Sequence, residues 1–340
     1  MTEESVKRFE SAARCTGVRI RRALLNLPDS IKTDASEIRL RCGRPVMISG
    51  LFGDVFLSEC GIESYIINEN VIKASINDID ECFRAVCSYS VHTYQESICD
   101  GYVTVNGGHR VGIVGTAVTA NGTVNSVKEV SSINIRVSRQ FKGIAEEVYA
   151  YIRDLGKGGV LIAGPPSSGK TTVLRDLARI LSSETGGFLK TVIIDEREEI
   201  AACCNGVPQN DIGVSSDVIT GYPKGEAIII ALRSMSPQKI ILDEIGNDDE
   251  ITAIEMGLNS GVDFYLSVHA SDEYELIHRK HIMSLIKSGA FSAVVFLKGK
   301  NYPSKVDKIV TAGELLDKYC GSNNTLDFDN YSKLLCSFNV

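Results

Sequence analysis

Residues 158–172 read GGVLIAGPPSSGKTT, and this stretch decides the fold. A short apolar run over 160–163 ends in a turn rich in glycine and proline, then gives way to Val173, Leu174, Leu177, Ala178 and Leu181 at helical spacing. The expected local structure is strand, loop, helix. Within it Gly164, Gly169, Lys170 and Thr171 hold the G-x-x-x-x-G-K-[ST] spacing of a phosphate-binding loop. Glycine lets the backbone curl, so the N–H groups from Ser168 to Thr171 can point at phosphate while the helix N-terminus adds partial positive charge. Pro165 and Pro166 lack N–H groups, but they and Ser167 precede the donors. Lys170 would reach the β and γ phosphates, the Thr171 hydroxyl would ligate Mg²⁺, and Thr172 would serve the α-phosphate. A chance match in a turn would not require the strand before it or the amphipathic helix after it.

Downstream, short apolar runs at 191–194, 239–242, 263–268 and 293–297 alternate with helical patterns, which predicts an α/β unit with a mostly parallel sheet. The run KIILDEIG ends in Asp243 and Glu244, placed where an open α/β sheet presents ligands at its carboxyl edge. Read as a Walker B segment, Asp243 holds Mg²⁺ through water and Glu244 orients or deprotonates the attacking water. The plainer alternative is an acidic pair capping a helix that begins near Asp248. Asp195, Glu196, Arg197 and Glu199 in DEREEI follow another strand and are either site residues or a solvated charge cluster. His269, after the run DFYLSV, is placed to sense the γ-phosphate or position water. Arg233, just before the Walker B strand, acts either on phosphate or as a cation at a helix C-terminus.

Upstream, GYVTVNGGHRVGIVGTAV offers two strands around Asn106, Gly107 and Gly108, a hairpin signal because these residues tolerate positive φ. VSSINIRVS supplies a third strand, and Ile79, Phe83, Val86 and Cys87 have the spacing of a helix packed on such a sheet. The expected organisation is an N-terminal α+β domain over 1–142, a P-loop nucleoside-triphosphate domain over 143–312, which the resemblance described below makes an ATPase domain, and a tail over 313–340 with no assignable role. Arg110, Arg136 and Arg139 in the first domain are candidate arginine fingers that would reach a nucleotide across a subunit or domain boundary.

A length of 340 residues suits two domains. With 44% hydrophobic and 23% charged residues the chain is neither disordered nor fibrous. The net charge of −7 disfavours broad attraction to nucleic acid or anionic lipid. Ten cysteines without a C-x-x-C pair fit a reducing compartment. The start MTEESVKRFE has no leader-like apolar core, and no run is long enough to span a membrane.

Several stretches together resemble the stage III sporulation protein AA family: GYVTVNGGHRVGIVGTAV, VSSINIRVSRQFKG, GPPSSGKTT, DEREEIAACCNGVPQND, SMSPQKIILDEIG and SVHA. That family is itself similar to the type II and type IV secretion ATPases, whose N-terminal domain ASEIRLRCGRP at 35–45 resembles. The resemblance implies a RecA-like/AAA motor domain assembled as a hexameric ring, with ATP and Mg²⁺ between subunits. It implies a place on the mother-cell side of the forespore engulfment membrane, docked peripherally on the membrane-bound stage III channel proteins. It also makes DEREE the family's acidic box, with Glu196 among its catalytic residues, His269 its histidine box and Arg233 its arginine before Walker B. Three alternatives compete. A nucleic-acid-linked ATPase would want a basic extension, whereas the tail carries Glu314, Asp317, Asp327 and Asp329 against Lys318 and Lys333. A low-turnover nucleotide-gated scaffold sits poorly with Glu244, and a small-molecule kinase with the large N-terminal domain.

Overall fold

The computed structural model describes residues 2–120, 122–156 and 158–320. Asp327, Asp329 and Lys333 of the tail lie outside them. Two units emerge: residues up to Arg139 together with Ala202–Asn210, and Gln140–Ala201 together with the chain from Asp211.

The first unit opens with helices α1 (Thr2–Ala13), α2 (Val18–Leu25) and α3 (Asp29–Asp34). Its strands are β1 (Ala35–Arg41), β2 (Met47–Gly50), β3 (Gly53–Leu57), β4 (Glu63–Ser64), β5 (Tyr102–Val105), β6 (His109–Ala120) and β7 (Thr123–Arg136). They hydrogen-bond in the order β4-β3-β2-β1-β7-β6-β5, every pair antiparallel. The glycine-rich hairpin lies where its residues require it: Val105 pairs with His109, and Gly107 and Gly108 take φ of 86° and 70°. Two helices, α4 (Ile76–Val86) and α5 (Gln95–Cys99), lie between β4 and β5 in the chain. Ser75 and Asp78 form a capping box at the start of α4, whose Ile79, Cys82 and Val86 enter the core with Ile38, Val111 and Ile135 of the sheet.

Ala202–Asn210 joins this unit although its neighbours in the chain belong to the other, a crossing that the change of periodicity near Gly143 does not announce. Cys204 and Val207 pair across a tight turn in which Asn205 and Gly206 have φ of 50° and 76°. The guanidinium of Arg8 donates to Gly107 O at 2.5 Å and Gln209 O at 3.1 Å, and Gly107 N donates to Gln209 Oε1 at 2.7 Å.

Beside that turn His109 is fully buried. Ser138 N donates to its Nδ1 at 3.0 Å, so in the neutral ring Nε2 carries the proton and donates to Ser11 Oγ at 2.6 Å. Burial, and secondarily the Arg8 charge, holds its pKa down to about 3 against an ordinary 6.5. Because the folded pKa is depressed, the stabilisation is complete above about pH 6.5 and drains as pH falls toward 3. Between pH 6.5 and 5 the first unit should lose about 2 kcal/mol. Urea midpoints across that window should fall for the wild type and stay flatter for His109→Asn.

The second unit begins with α6 (Glu146–Leu155) and then alternates β8 (Gly159–Gly164), α7 (Lys170–Leu181), β9 (Thr191–Ile194), β10 (Ser216–Ile219), α8 (Lys224–Ser234), β11 (Lys239–Leu242), α9 (Asp248–Asn259) and β12 (Asp263–His269). The rest comprises α10 (Glu273–Ile277), α11 (Lys280–Lys287), β13 (Phe291–Leu297), β14 (Val306–Thr311) and α12 (Ala312–Cys320). The sheet order is β10-β9-β11-β12-β8-β13-β14, parallel except for β14. All of β8 is buried. Leu161 and Ala163 face a cluster that includes Ile228 of α8, Ile254 of α9, Leu285 of α11 and Leu315 of α12, while α7 packs on the opposite face. The sheet is thus covered on both sides, the condition for a buried parallel sheet. The start of the tail therefore contributes to this core, and Lys318 donates to Glu273 at 2.7 Å. Among the described residues no helix is long and apolar enough to cross a membrane.

Candidate nucleotide site

The carboxyl ends of β8, β9, β11 and β12 gather most of the candidate residues. Gly164 closes β8, and α7 starts at Lys170 after Gly169, whose φ of 90° favours glycine. A Cβ on Gly164 would lie 2.5 Å from Ser168 Oγ, and one on Gly169 would lie 2.2 Å from Ser304 Oγ. Both glycines thus make room as well as turns.

Lys170 is buried and uses three acceptors: Gly164 O at 3.0 Å, Pro165 O at 3.2 Å and His269 Nδ1 at 2.8 Å. An ammonium only donates, so His269 accepts through Nδ1 and the ring proton sits on Nε2. That nitrogen lies 2.8 Å from Glu244 Oε1, but off the axis of the N–H, and Oε1 remains buried without a hydrogen-bond donor. Burial holds Lys170 below the ordinary lysine pKa, the charges of Glu244 and Asp243 oppose this, and Arg279 adds to the lowering. Ser267 Oγ donates to Asp243 Oδ1 at 2.5 Å, and Lys224 Nζ donates to Glu244 O at 2.5 Å. Neither carboxylate caps α9: Asn247 does so through Glu250 N at 3.0 Å, and Glu250 Oε2 accepts from Gly246 N at 2.6 Å. The capping alternative for Asp243 and Glu244 is therefore set aside.

These residues fit a nucleotide with Mg²⁺. Ser168 Oγ is an orphaned buried hydroxyl inside the loop, Glu244 Oε1 an orphaned acceptor beside His269, and one oxygen of Asp243 is left over by Ser267. Thr171, in the first turn of α7, and Asp243 could hold the metal with water completing its shell, since Mg²⁺ takes few protein ligands.

The chain matches the model of the family described as "Sporulation stage III, protein AA" over residues 6–314. It belongs to that family. Stage III sporulation protein AA of Bacillus subtilis (strain 168) is 35% identical over 305 residues, covering 89% of this chain and 95% of that protein. Protein SEEDLING PLASTID DEVELOPMENT 1 of Arabidopsis thaliana is 30% identical over 190 residues, 55% of this chain but 26% of that protein. Among solved structures, the pilus retraction motor PilT with bound ADP is similar at a TM-score of 0.52 and 13% identity, covering 77% of this chain and 74% of that one. The last likeness concerns the fold alone, that of a RecA-like P-loop NTPase.

The acidic cluster at 195–199 differs from the sequence expectation at its first residue. Asp195 is 2% exposed, and its carboxylate accepts from Glu199 N at 2.8 Å, Ile200 N at 3.1 Å and Ala201 N at 2.7 Å. Its oxygens are committed to a backbone turn. Glu196 is exposed, with Lys224 Nζ 3.5 Å away, and Arg197 is exposed. Arg175 of α7 donates to Glu199 O at 2.5 Å and Ile200 O at 2.9 Å, tying the box to the phosphate-loop helix. Sequence reasoning did not single out Arg175, Ser267 or Lys224. Residues of these types carry no motif, and only the fold brings them to the 195–200 segment and to Asp243 and Glu244.

Within the second unit, Arg233 is not brought to this site. Arg233 is exposed in the last turn of α8, whose first residue, Lys224, bonds Glu244. Nine residues separate them on the helix, which puts Arg233 roughly 13.5 Å along its axis from Lys224. In the first unit Arg110 lies over the Tyr102 ring, 4.8 Å from its centroid, and Arg136 is exposed on β7. Arg139 is half-buried and donates to Lys32 O at 3.3 Å and Ala35 O at 2.5 Å.

Proposed function

We propose that the second unit binds ATP with Mg²⁺ and hydrolyses it, within a hexameric ring that energises the stage III sporulation channel. The observation that carries this reading is the line Lys170, His269, Glu244, with a buried carboxylate oxygen left without a donor beside the phosphate-loop lysine. ATP supplies the transferable phosphoryl group, and Mg²⁺ held by Thr171 and, through water, by Asp243 would neutralise its developing charge. Gly164, Pro165, Pro166, Ser167, Ser168, Gly169 and Thr172 shape the cradle. Lys170 neutralises the β and γ phosphates, Glu244 accepts the proton of the attacking water, and His269 holds the lysine and the base at a fixed separation. Ser267 keeps Asp243 oriented. Glu196 pairs with Lys224, which also holds the Glu244 backbone.

Arg233 and Arg136, both exposed, are the arginines we assign to a neighbouring protomer's nucleotide, ahead of Arg110 and Arg139. Family membership supports a place at the forespore engulfment membrane on the mother-cell side, with docking through membrane-bound channel proteins. The test is light scattering on a sizing column together with ATP titration and phosphate release. Lys170→Ala should weaken ATP binding at least tenfold, because hydrogen bonds to charged groups are worth about 1.5–3 kcal/mol each. A monomer that hydrolyses ATP equally well with Lys170→Ala and Glu244→Gln overturns the reading.

A further inference from the structure

The loop between β13 and β14, residues 298–305, lies along the phosphate loop although some 130 residues separate them in the chain. Ser304 N donates to Ser168 O at 2.7 Å, and Ser304 Oγ sits 3.5 Å from Gly169 O. At the other end of the loop, Gly299 faces the Pro165 ring: a Cβ there would lie 3.8 Å from Pro165 Cγ. The loop is closed on itself by Lys298 N to Lys305 O at 2.8 Å and Tyr302 N to Gly299 O at 2.9 Å. Between its two anchors stands Tyr302, 65% exposed, followed by Pro303, which fixes the backbone. An exposed aromatic ring on a braced loop beside a phosphate cradle has no packing role that explains it.

Strand order gives the ring its direction. Lys170 reaches His269 on β12 and is felt by Asp243 and Glu244 after β11, so the γ end of a triphosphate points toward β12 and β11. β8 has β12 on one side and β13 on the other. The nucleoside must then leave the cradle on the β13 flank, where Tyr302 and the exposed Lys298, Lys300 and Lys305 stand. We propose that Tyr302 is the stacking platform for the nucleotide base, with the lysines of its loop facing the α-phosphate side. This rests on the reading of the cradle as an ATP site. Stacking uses the π-face that every base has, so Tyr302 supplies affinity without choosing between adenine and guanine.

Calorimetric titration of the full-length protein with ATP, GTP and inorganic tripolyphosphate, each with Mg²⁺, separates the possibilities. Tyr302→Ala should weaken ATP and GTP alike by about tenfold and leave tripolyphosphate unchanged, while Tyr302→Phe should stay near wild type. Unchanged ATP affinity in Tyr302→Ala overturns the base platform alone. Equal losses for ATP and tripolyphosphate also overturn it, since the loop would then only brace the cradle. A wild-type protein that binds neither ATP nor tripolyphosphate overturns the ATP reading and the platform with it.

Discussion

Glu244→Gln should leave ATP bound with near wild-type affinity while phosphate release falls at least a hundredfold. A positioned general base contributes about a hundredfold to ten-thousandfold, and glutamine keeps the shape of glutamate without its basicity. The substitution keeps most of the site and alters one contact, the 2.8 Å approach of His269 Nε2 to Glu244 Oε1. Lys224 bonds the backbone carbonyl of Glu244, Ser267 orients Asp243, and Lys170 takes its acceptors from Gly164, Pro165 and His269, none of which involves the exchanged atom. The loss should therefore fall on kcat with KM little changed, the signature of an interaction made only in the transition state. A Glu244→Gln protein that releases phosphate within a factor of three of wild type would falsify the assignment of the base.

The second large effect is on stability. Asp195→Ala should destabilise the second unit by about 3 kcal/mol or more, read as a lowered urea midpoint. The carboxylate accepts from three backbone N–H groups, those of Glu199, Ile200 and Ala201, in a place that is 2% exposed. Leaving a buried donor without an acceptor costs about 1–3 kcal/mol. Against a usual domain stability of about 5–15 kcal/mol the sum is serious. Asp195→Asn keeps one acceptor oxygen and should lose about half as much. Hydrogen exchange at the Ile200 and Ala201 amides should accelerate in both variants. Unaltered stability with lost hydrolysis would return Asp195 to the chemistry.

What could be read from the sequence is what is local in it. The strand, turn and helix around Gly164 to Leu181 are coded by neighbours, and the strands 191–194 and 239–242 are legible because Val192 to Ile194 and Ile240 to Leu242 are buried, apolar runs. The edge strands escape that logic. Ser216–Ile219 and Val306–Thr311 are mostly half-exposed, so they carry no apolar run to mark them. Asp195 shows a further limit, since a charge cluster in the sequence says nothing of which carboxylate turns inward to bind its own backbone. Arg233 shows the same at the level of a helix, because its closeness to β11 in the chain is undone by the direction in which α8 runs. Gln209 shows it too, since Arg8 and Gly107, the groups it bonds, are remote from it in sequence.

The passage of Ala202–Asn210 into the first unit makes the two halves poor candidates for separate lives. A gene cut after residue 142 would deliver an N-terminal fragment whose Arg8 and Gly107 have lost Gln209, and a second fragment carrying a stranded nine-residue loop. Such halves cannot be traded like cassettes between relatives. A graft that respects this architecture must carry the loop with the N-terminal partner, so the pair is inherited as one interleaved object rather than as two beads on a string.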